Sequence, residues 1–183
     1  MAHTVVYTMN DNMTVSGEFG KVYDIVYPLL YRIAYRMTGD TDVSEDLCQE
    51  AFIRYYKRVI PLPSQDQTKY WLIRVVKNLA LNHEKRRGRE KKAYDRYLRE
   101  PKPIVRSGET ELMRSESAKL VQNALQKLPP KLRTVIVLRE YGGLSYREIA
   151  KVAGITESNV KVRVYRAREQ LKKHLDEEEV HVS

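Results

Sequence analysis

Apolar side chains return every three or four positions from residue 18 to 99 and again from 111 to 175, with no credible alternation at every second position in either stretch. That period builds one face of an α-helix and misfits a strand, so the fold is expected to be all-α. Between the blocks, REPKPIVRSGET carries two prolines, a glycine and few core-forming residues, which is the composition of a hinge. The expected organisation is therefore two small helical domains joined by a flexible linker. Residues 1–17 form a flexible N-terminus, 18–98 the first domain, 99–111 the linker, 112–175 a helix-turn-helix domain and 176–183 an acidic tail. Twelve extended residues reach roughly 40 Å, enough for the domains to touch separate sites on one long ligand.

Charge narrows what that ligand is. Lys and Arg outnumber Asp and Glu by 33 to 24, a net charge of +9, which favours a polyanion: nucleic acid or an anionic membrane surface. No apolar run approaches the ~20 residues that span a bilayer, and the opening MAHTVVYTMNDNMTVSG lacks the order of a secretory signal, so a cytoplasmic location without membrane insertion is expected. A single cysteine, Cys48, excludes an intrachain disulfide and a Cys-based zinc site. His3, His83, His174 and His181 show no ligand spacing, so no metal and no cofactor are expected. No convergent set of carboxylates and histidines marks a hydrolase or nuclease, and the chain is not expected to be an enzyme.

In the first block, Phe19, Val22, Tyr23, Val26, Leu30, Ile33, Ala34 and Met37 give one helix an apolar face that Gly39 ends, with Pro28 expected to kink it. Tyr23, Tyr27, Tyr31 and Tyr35 form a stripe that reads either as a docking surface or as a half-buried core seam, the commoner use of such rings. The next stretch, DTDVSEDLCQEAFIRYYKR, holds five acids and no base across 40–50, a reversal in a basic chain. At 100° per residue, Val43, Leu47, Cys48, Ala51, Phe52 and Tyr55 share one side and Asp42, Asp46, Gln49, Glu50 and Ile53 the other. That carboxylate face repels DNA; it fits either a cationic groove on a partner protein or plain solvation at a helix N-terminus.

After a loop at 59–69, KYWLIRVVKNLALNHEKRRGREKK reads as a helix whose apolar half gives way to six bases among 85–92. Lys85, Arg86 and Arg87 in that run suit phosphates, with a salt-dependent affinity, or equally a solvated helix end. Trp71, Asn78 and the polar loop at 63–69 could hold unstacked bases, although Trp71 also fits a core position.

The most specific pattern is LSYREIAKVAGITESNVKVRVYRAREQLKKHL. Ser145 with Glu148 forms a capping box, Ile149 and Ala153 point inward, Ala150 allows close approach, and Gly154 makes the turn. Val160, Val164, Ala167, Leu171 and Leu175 then form the buried side of a second helix. Ser158, Val162, Tyr165, Arg166 and Lys173, flanked by Asn159, Lys161 and Arg163, form a surface suited to the DNA major groove.

In these phrases, taken in order, the chain resembles the extracytoplasmic-function sigma factors, the small two-domain bacterial sigma factors. SEDLCQEAFIR looks like the family's polymerase-binding helix, YWLIRVVKNLALNHEKRR like its promoter-melting helix, and ALQKLPPKLRTVIVLREYGGLSYREIAKVAGITESNVKVRVYRAREQL like its upstream promoter reader. The resemblance implies that the two domains are sigma regions 2 and 4. It implies contacts from Asp46, Gln49 and Glu50 to the clamp helices of the largest polymerase subunit. It further implies contacts from Trp71, Asn78, Lys85, Arg86 and Arg87 to the minus-10 element, and from Ser158, Asn159, Lys161, Val162, Arg163, Tyr165 and Arg166 to the minus-35 element. Its implied partners are core RNA polymerase, promoter DNA and an anti-sigma factor. Two positions depart from the family pattern: Val43 stands where an acid is common, and Val162 where Ser is common. Val162 can meet a thymine methyl but cannot donate a hydrogen bond, so a shift toward thymine at one upstream position is expected. A free-standing helix-turn-helix regulator is the competing reading; it has no need of the acidic or the melting helix.

Overall fold

The computed structural model describes residues 17–97 and 116–182. Among them are seven helices and no strand: α1 Gly17–Thr38, α2 Thr41–Tyr56, α3 Gln65–Tyr97, α4 Glu116–Lys127, α5 Pro130–Glu140, α6 Tyr146–Ala153 and α7 Glu157–Val182. The expected linker at 99–111 lies outside the described residues, as does nearly all of the expected N-terminal segment.

Helix α1 buries Val22, Val26, Leu30, Ile33, Ala34 and Met37, as its periodicity requires, and runs on through an exposed Pro28. Its tyrosines stack in sequence, with ring centroids 5.0 Å apart for Tyr23 and Tyr27 and 6.3 Å apart for the two pairs that follow. They range from exposed Tyr23 to buried Tyr35, and Phe52 packs against the first two, so the stripe is a half-buried seam between α1 and α2. Burial, with the charges of nearby groups, raises the phenol pKa of Tyr23, Tyr27 and Tyr31, that of Tyr31 to about 12. Gly39 closes the helix at φ +72°, a left-handed conformation that a Cβ disfavours. Asp40 then caps α2 by accepting the Val43 N–H at 3.0 Å, and Thr38 and Ser44 share a buried hydroxyl contact at 3.0 Å. These bonds fold α2 back on α1 and turn its acidic side outward.

Helix α3 starts earlier than its sequence implied. Ser64 accepts the Gln67 N–H on its hydroxyl and the Thr68 N–H on its carbonyl, and Asp66 stabilises the first turn, so residues 65–69 are helical and only the stretch before them is loop. At the other end of the chain, the acidic segment expected to be a separate tail continues α7 to Val182. No Gly or Pro follows Gly154, and Glu177 pairs with Lys173 and His174 one turn back.

In the second half, α5 contributes a continuous buried run from Val135 to Leu138, against which α6 and α7 pack. The capping box is present in both directions, with Ser145 Oγ accepting the Glu148 N–H and Glu148 accepting the Ser145 N–H at 2.7 Å. Gly154 sits at φ +69° and donates its N–H to the Ala150 carbonyl, which sets the angle between α6 and α7. The halves also touch: α1 packs on α4 and α5, and α3 on α6, and the buried apolar residues form one cluster across both.

Candidate nucleic-acid and polymerase interfaces

On α2, Asp42, Glu45 and Asp46 are exposed and Gln49 and Glu50 are half-exposed, while Cys48, Ala51 and Phe52 are buried beneath them. Glu50 is already engaged, its carboxylate 2.7 Å from Arg54 one turn on. Both partners are largely solvated, so that pair contributes only about 0.3–0.5 kcal/mol and is readily exchanged. Ile53 and Tyr56 continue the same side as exposed apolar surface, at 44% and 55% exposure. The face thus combines carboxylates, an amide and apolar groups, the mixture that a protein partner recognises.

On α3 the expected DNA groups divide. Asn78, Lys85, Arg86 and Arg87 are exposed, though Arg86 lies 3.3 Å from Glu90 and Arg87 3.6 Å from Glu84. Trp71 is half-buried: it packs on the core beside Tyr55, and the Arg58 guanidinium covers its ring at 4.9 Å from the centroid. It therefore belongs partly to the core, and the Arg58 guanidinium already lies over its ring where a base would compete with it. Beside it, the loop before α3 leaves Val59 and Ile60 95% and 73% exposed.

On α7, Ser158, Asn159, Lys161, Val162, Tyr165 and Arg166 are exposed and Arg163 half-exposed, opposite the fully packed Val160, Val164 and Ala167. Lys161 lies 3.5 Å from Glu157. The structure thus brings all seven expected major-groove residues onto accessible positions of one helix.

Sequence reasoning missed a polar seam between the halves. Tyr70 donates its hydroxyl hydrogen bond to Glu148, Arg74 donates to the Lys151 carbonyl at 3.1 Å, and buried Lys77 donates to the Val152 carbonyl at 3.1 Å. Farther along, Arg133 lies 3.4 Å from Glu84 and donates to the Met37 carbonyl; Gln122 donates to the Tyr35 carbonyl and accepts from Arg36. The Tyr70 hydroxyl and the Ser145 groups hold the Glu148 carboxyl down at about 2, while the same contact lifts the Tyr70 phenol to about 12. Burial lowers the pKa of Lys77 and of Arg133. The available sequence signal was the 4, 3, 4, 3 spacing of Tyr70, Arg74, Lys77, Leu81 and Glu84 along one line of α3.

Residues 22–90 match the family described as Sigma-70 region 2, and residues 118–171 match Sigma-70, region 4. Over 170 residues the chain is 35% identical to the ECF RNA polymerase sigma factor SigW of Bacillus subtilis (strain 168), an alignment covering 86% of this chain and 88% of that protein. The chain belongs to the extracytoplasmic-function sigma factors. A further relative, the RNA polymerase sigma-H factor of Pseudomonas aeruginosa, is 33% identical over 148 residues, 76% of this chain and 77% of that one. Among solved structures, the sigma factor RpoE of Bartonella quintana, crystallised with the anti-sigma factor NepR, aligns with a TM-score of 0.66 at 26% identity, covering 87% of this chain and 97% of that chain. As a sigma factor the protein works with RNA polymerase on promoter DNA in transcription initiation. Its region 2 match decides against the free-standing regulator, which has no use for that half. Among the described residues no helix is long and apolar enough to cross a membrane.

Proposed function

We propose that this sigma factor divides its work among three exposed surfaces of different chemistry. Asp46, Gln49 and Glu50 dock on the clamp helices of the largest polymerase subunit. Trp71, Asn78 and the Lys85, Arg86 and Arg87 cluster engage the melted minus-10 element. Ser158, Asn159, Lys161, Val162, Arg163, Tyr165 and Arg166 read the minus-35 element in the major groove. The domain limits are those of the sequence, 18–98 and 112–175, with 99–111 as the tether. Neither basic surface alone discriminates promoters well; docking fixes their separation, and each then raises the effective concentration of the other at its site. The chain itself makes and breaks no covalent bond, since RNA synthesis belongs to the polymerase, and it acts in the cytoplasm where that enzyme resides. An anti-sigma factor holds it in reserve, as NepR accompanies the similar sigma factor of Bartonella quintana.

The observation that carries this reading is the exposure of a carboxylate face on α2 and of cationic faces on α3 and α7 in one chain. The combined Asp46→Ala and Gln49→Ala variant tests it. Binding to core polymerase should weaken by at least about 1 kcal/mol, roughly fivefold, while affinity for duplex DNA through α7 is unchanged. Undiminished polymerase affinity would remove the acidic face from the account.

A further inference from the structure

Helix α3 has 33 residues, a length of about 50 Å, and its two halves have different surroundings. The first half packs on the core through Leu72, Ile73, Val76 and Ala80, all fully buried. From Lys85 to Tyr94 every residue is exposed, so the second half projects from the packed body of the protein. Six of the eight residues from 85 to 92 are basic and one is acidic. Like charges so close repel one another along the helix, and a polyanion is their natural complement.

The charges sort by side. At 100° per residue, Lys85, Arg89 and Lys92 fall within about 60° of one another, on the same side as Trp71, Asn78 and Asn82. Arg86 and Arg87 point elsewhere and are engaged, 3.3 Å from Glu90 and 3.6 Å from Glu84. Lys85, Arg89 and Lys92 have no ion-pair or hydrogen-bond partner among the described residues. One side of the helix thus changes character along its length: a ring at Trp71, amides at Asn78 and Asn82, then unpaired cations. Rings and amides suit the faces and edges of unstacked bases, whereas flexible cations suit phosphates and read no sequence. Gly88 lies beside Lys92 on this side, and a Cβ there would meet nothing within 4 Å. Packing does not call for that glycine; what it supplies is an unobstructed approach to the helix backbone.

Distance separates the two chemistries. Trp71 and Asn78 are about 10 Å apart along the axis, and Lys92 stands about 21 Å beyond Asn78. The far end of α3 is also the end from which the chain leads on to α4 and the domain proposed to read the upstream element. In that direction, what adjoins a melted minus-10 element is intact duplex.

We propose that α3 spans the boundary between melted and double-stranded DNA: its first half holds unstacked bases, Lys85 stands at the junction, and Arg89 and Lys92 grip phosphates of the duplex just upstream. The grip has no sequence preference and sets where melting begins, with bases held open on one side of Lys85 and pairs kept closed on the other. This rests on the reading of α3 as the strand-binding helix, and the test keeps the two separable.

Holoenzyme assembled from core polymerase and the full chain is titrated with two DNAs over a range of salt concentrations. One is a fork whose single strand carries the minus-10 element and continues upstream into a duplex arm of about ten base pairs, one helical turn. The other is the same single strand cut at the junction. On the fork, the double variant Arg89→Ala with Lys92→Ala should lower the log–log salt slope by about 1.8, at 0.9 for each duplex phosphate contact. On the cut strand it should match wild type. The pair Lys21→Ala with Lys91→Ala removes the same charge from other exposed positions and should match wild type on both DNAs. A loss of about 1.4 on the cut strand, at 0.7 for each contact, would place the cations on the melted strand and overturn the proposal. An unchanged slope on the fork, or an equal loss in the charge-matched pair, would overturn it as well. Asn78→Ala examines the underlying reading by itself and should weaken both DNAs alike. If it weakens neither, the strand-binding assignment fails, while the slopes still decide the duplex grip.

Discussion

Deletion of a single methyl group from the promoter offers a direct probe of the groove-reading surface. Val162 is 48% exposed on the outer side of α7, while Val164 on the opposite side is 1% exposed, so the isopropyl group of Val162 is aimed away from the core. In the major groove the one apolar feature of a base pair is the thymine C5 methyl. Burying one such group is worth about 0.8 kcal/mol, which is roughly a fourfold change in affinity at 1.4 kcal/mol per tenfold. Replacing each thymine of the upstream element in turn by deoxyuridine removes only that methyl and leaves every hydrogen-bonding edge intact. The polymerase complex should lose about fourfold in affinity at one position, and the complex formed with Val162→Ser should lose almost nothing there. A fourfold penalty that survives in Val162→Ser but vanishes in Tyr165→Ala would transfer the contact to the neighbouring ring, which is 66% exposed. Indifference of the wild-type complex to every deoxyuridine would refute apolar readout altogether.

Arg166→Ala should cost about 1–3 kcal/mol and relax preference at one base pair, checked by binding selections; uniform weakening on all sequences would assign Arg166 to phosphate instead. Gly154→Ala should destabilise the protein by about 1–2 kcal/mol in denaturant unfolding, because a Cβ is disfavoured at the left-handed φ of +69° that joins α6 to α7. The depressed Glu148 carboxyl lends stability that is fully present above its ordinary value of 4.5 and lost as pH falls through about 2. Acid titration of stability should therefore be flatter between those limits in Glu148→Gln than in wild type.

Legibility in the sequence tracked how local each feature is. Most of the helix-turn-helix was legible because Ser145, Glu148, Gly154 and the Val160, Val164, Ala167 spacing lie within about two dozen residues, but the position buried beside Ile149 is Val152, and Ala153, expected to point inward, is half-exposed. The outward acidic face of α2 was equally plain, since its complement, Cys48, Ala51 and Phe52, is apolar and small enough to pack on α1. The start of α3 was obscured by two prolines close before Ser64, whose capping role outweighs the polar, loop-like composition of 65–69. Charge also misled at the C-terminus, where acidity looked like fraying although nothing in the segment stops a helix. The seam was out of reach for a different reason. Their spacing marks Tyr70, Arg74, Lys77 and Glu84 as one line on α3 but not what it meets, because their partners lie 49 to 78 residues away on another domain. The packing of α3 on α6, and of Glu84 against Arg133 on α5, is what gives those polar groups protein partners.

Reconstituted transcription bears most directly on the central claim, that one chain joins polymerase to a promoter through separate anionic and cationic faces. Purified core polymerase, supplied with this protein and genomic DNA fragments, should begin RNA synthesis at a defined set of start sites that share upstream and downstream elements at constant spacing. Bound DNA with a core enzyme that remains inactive, or initiation without such shared elements, would contradict it.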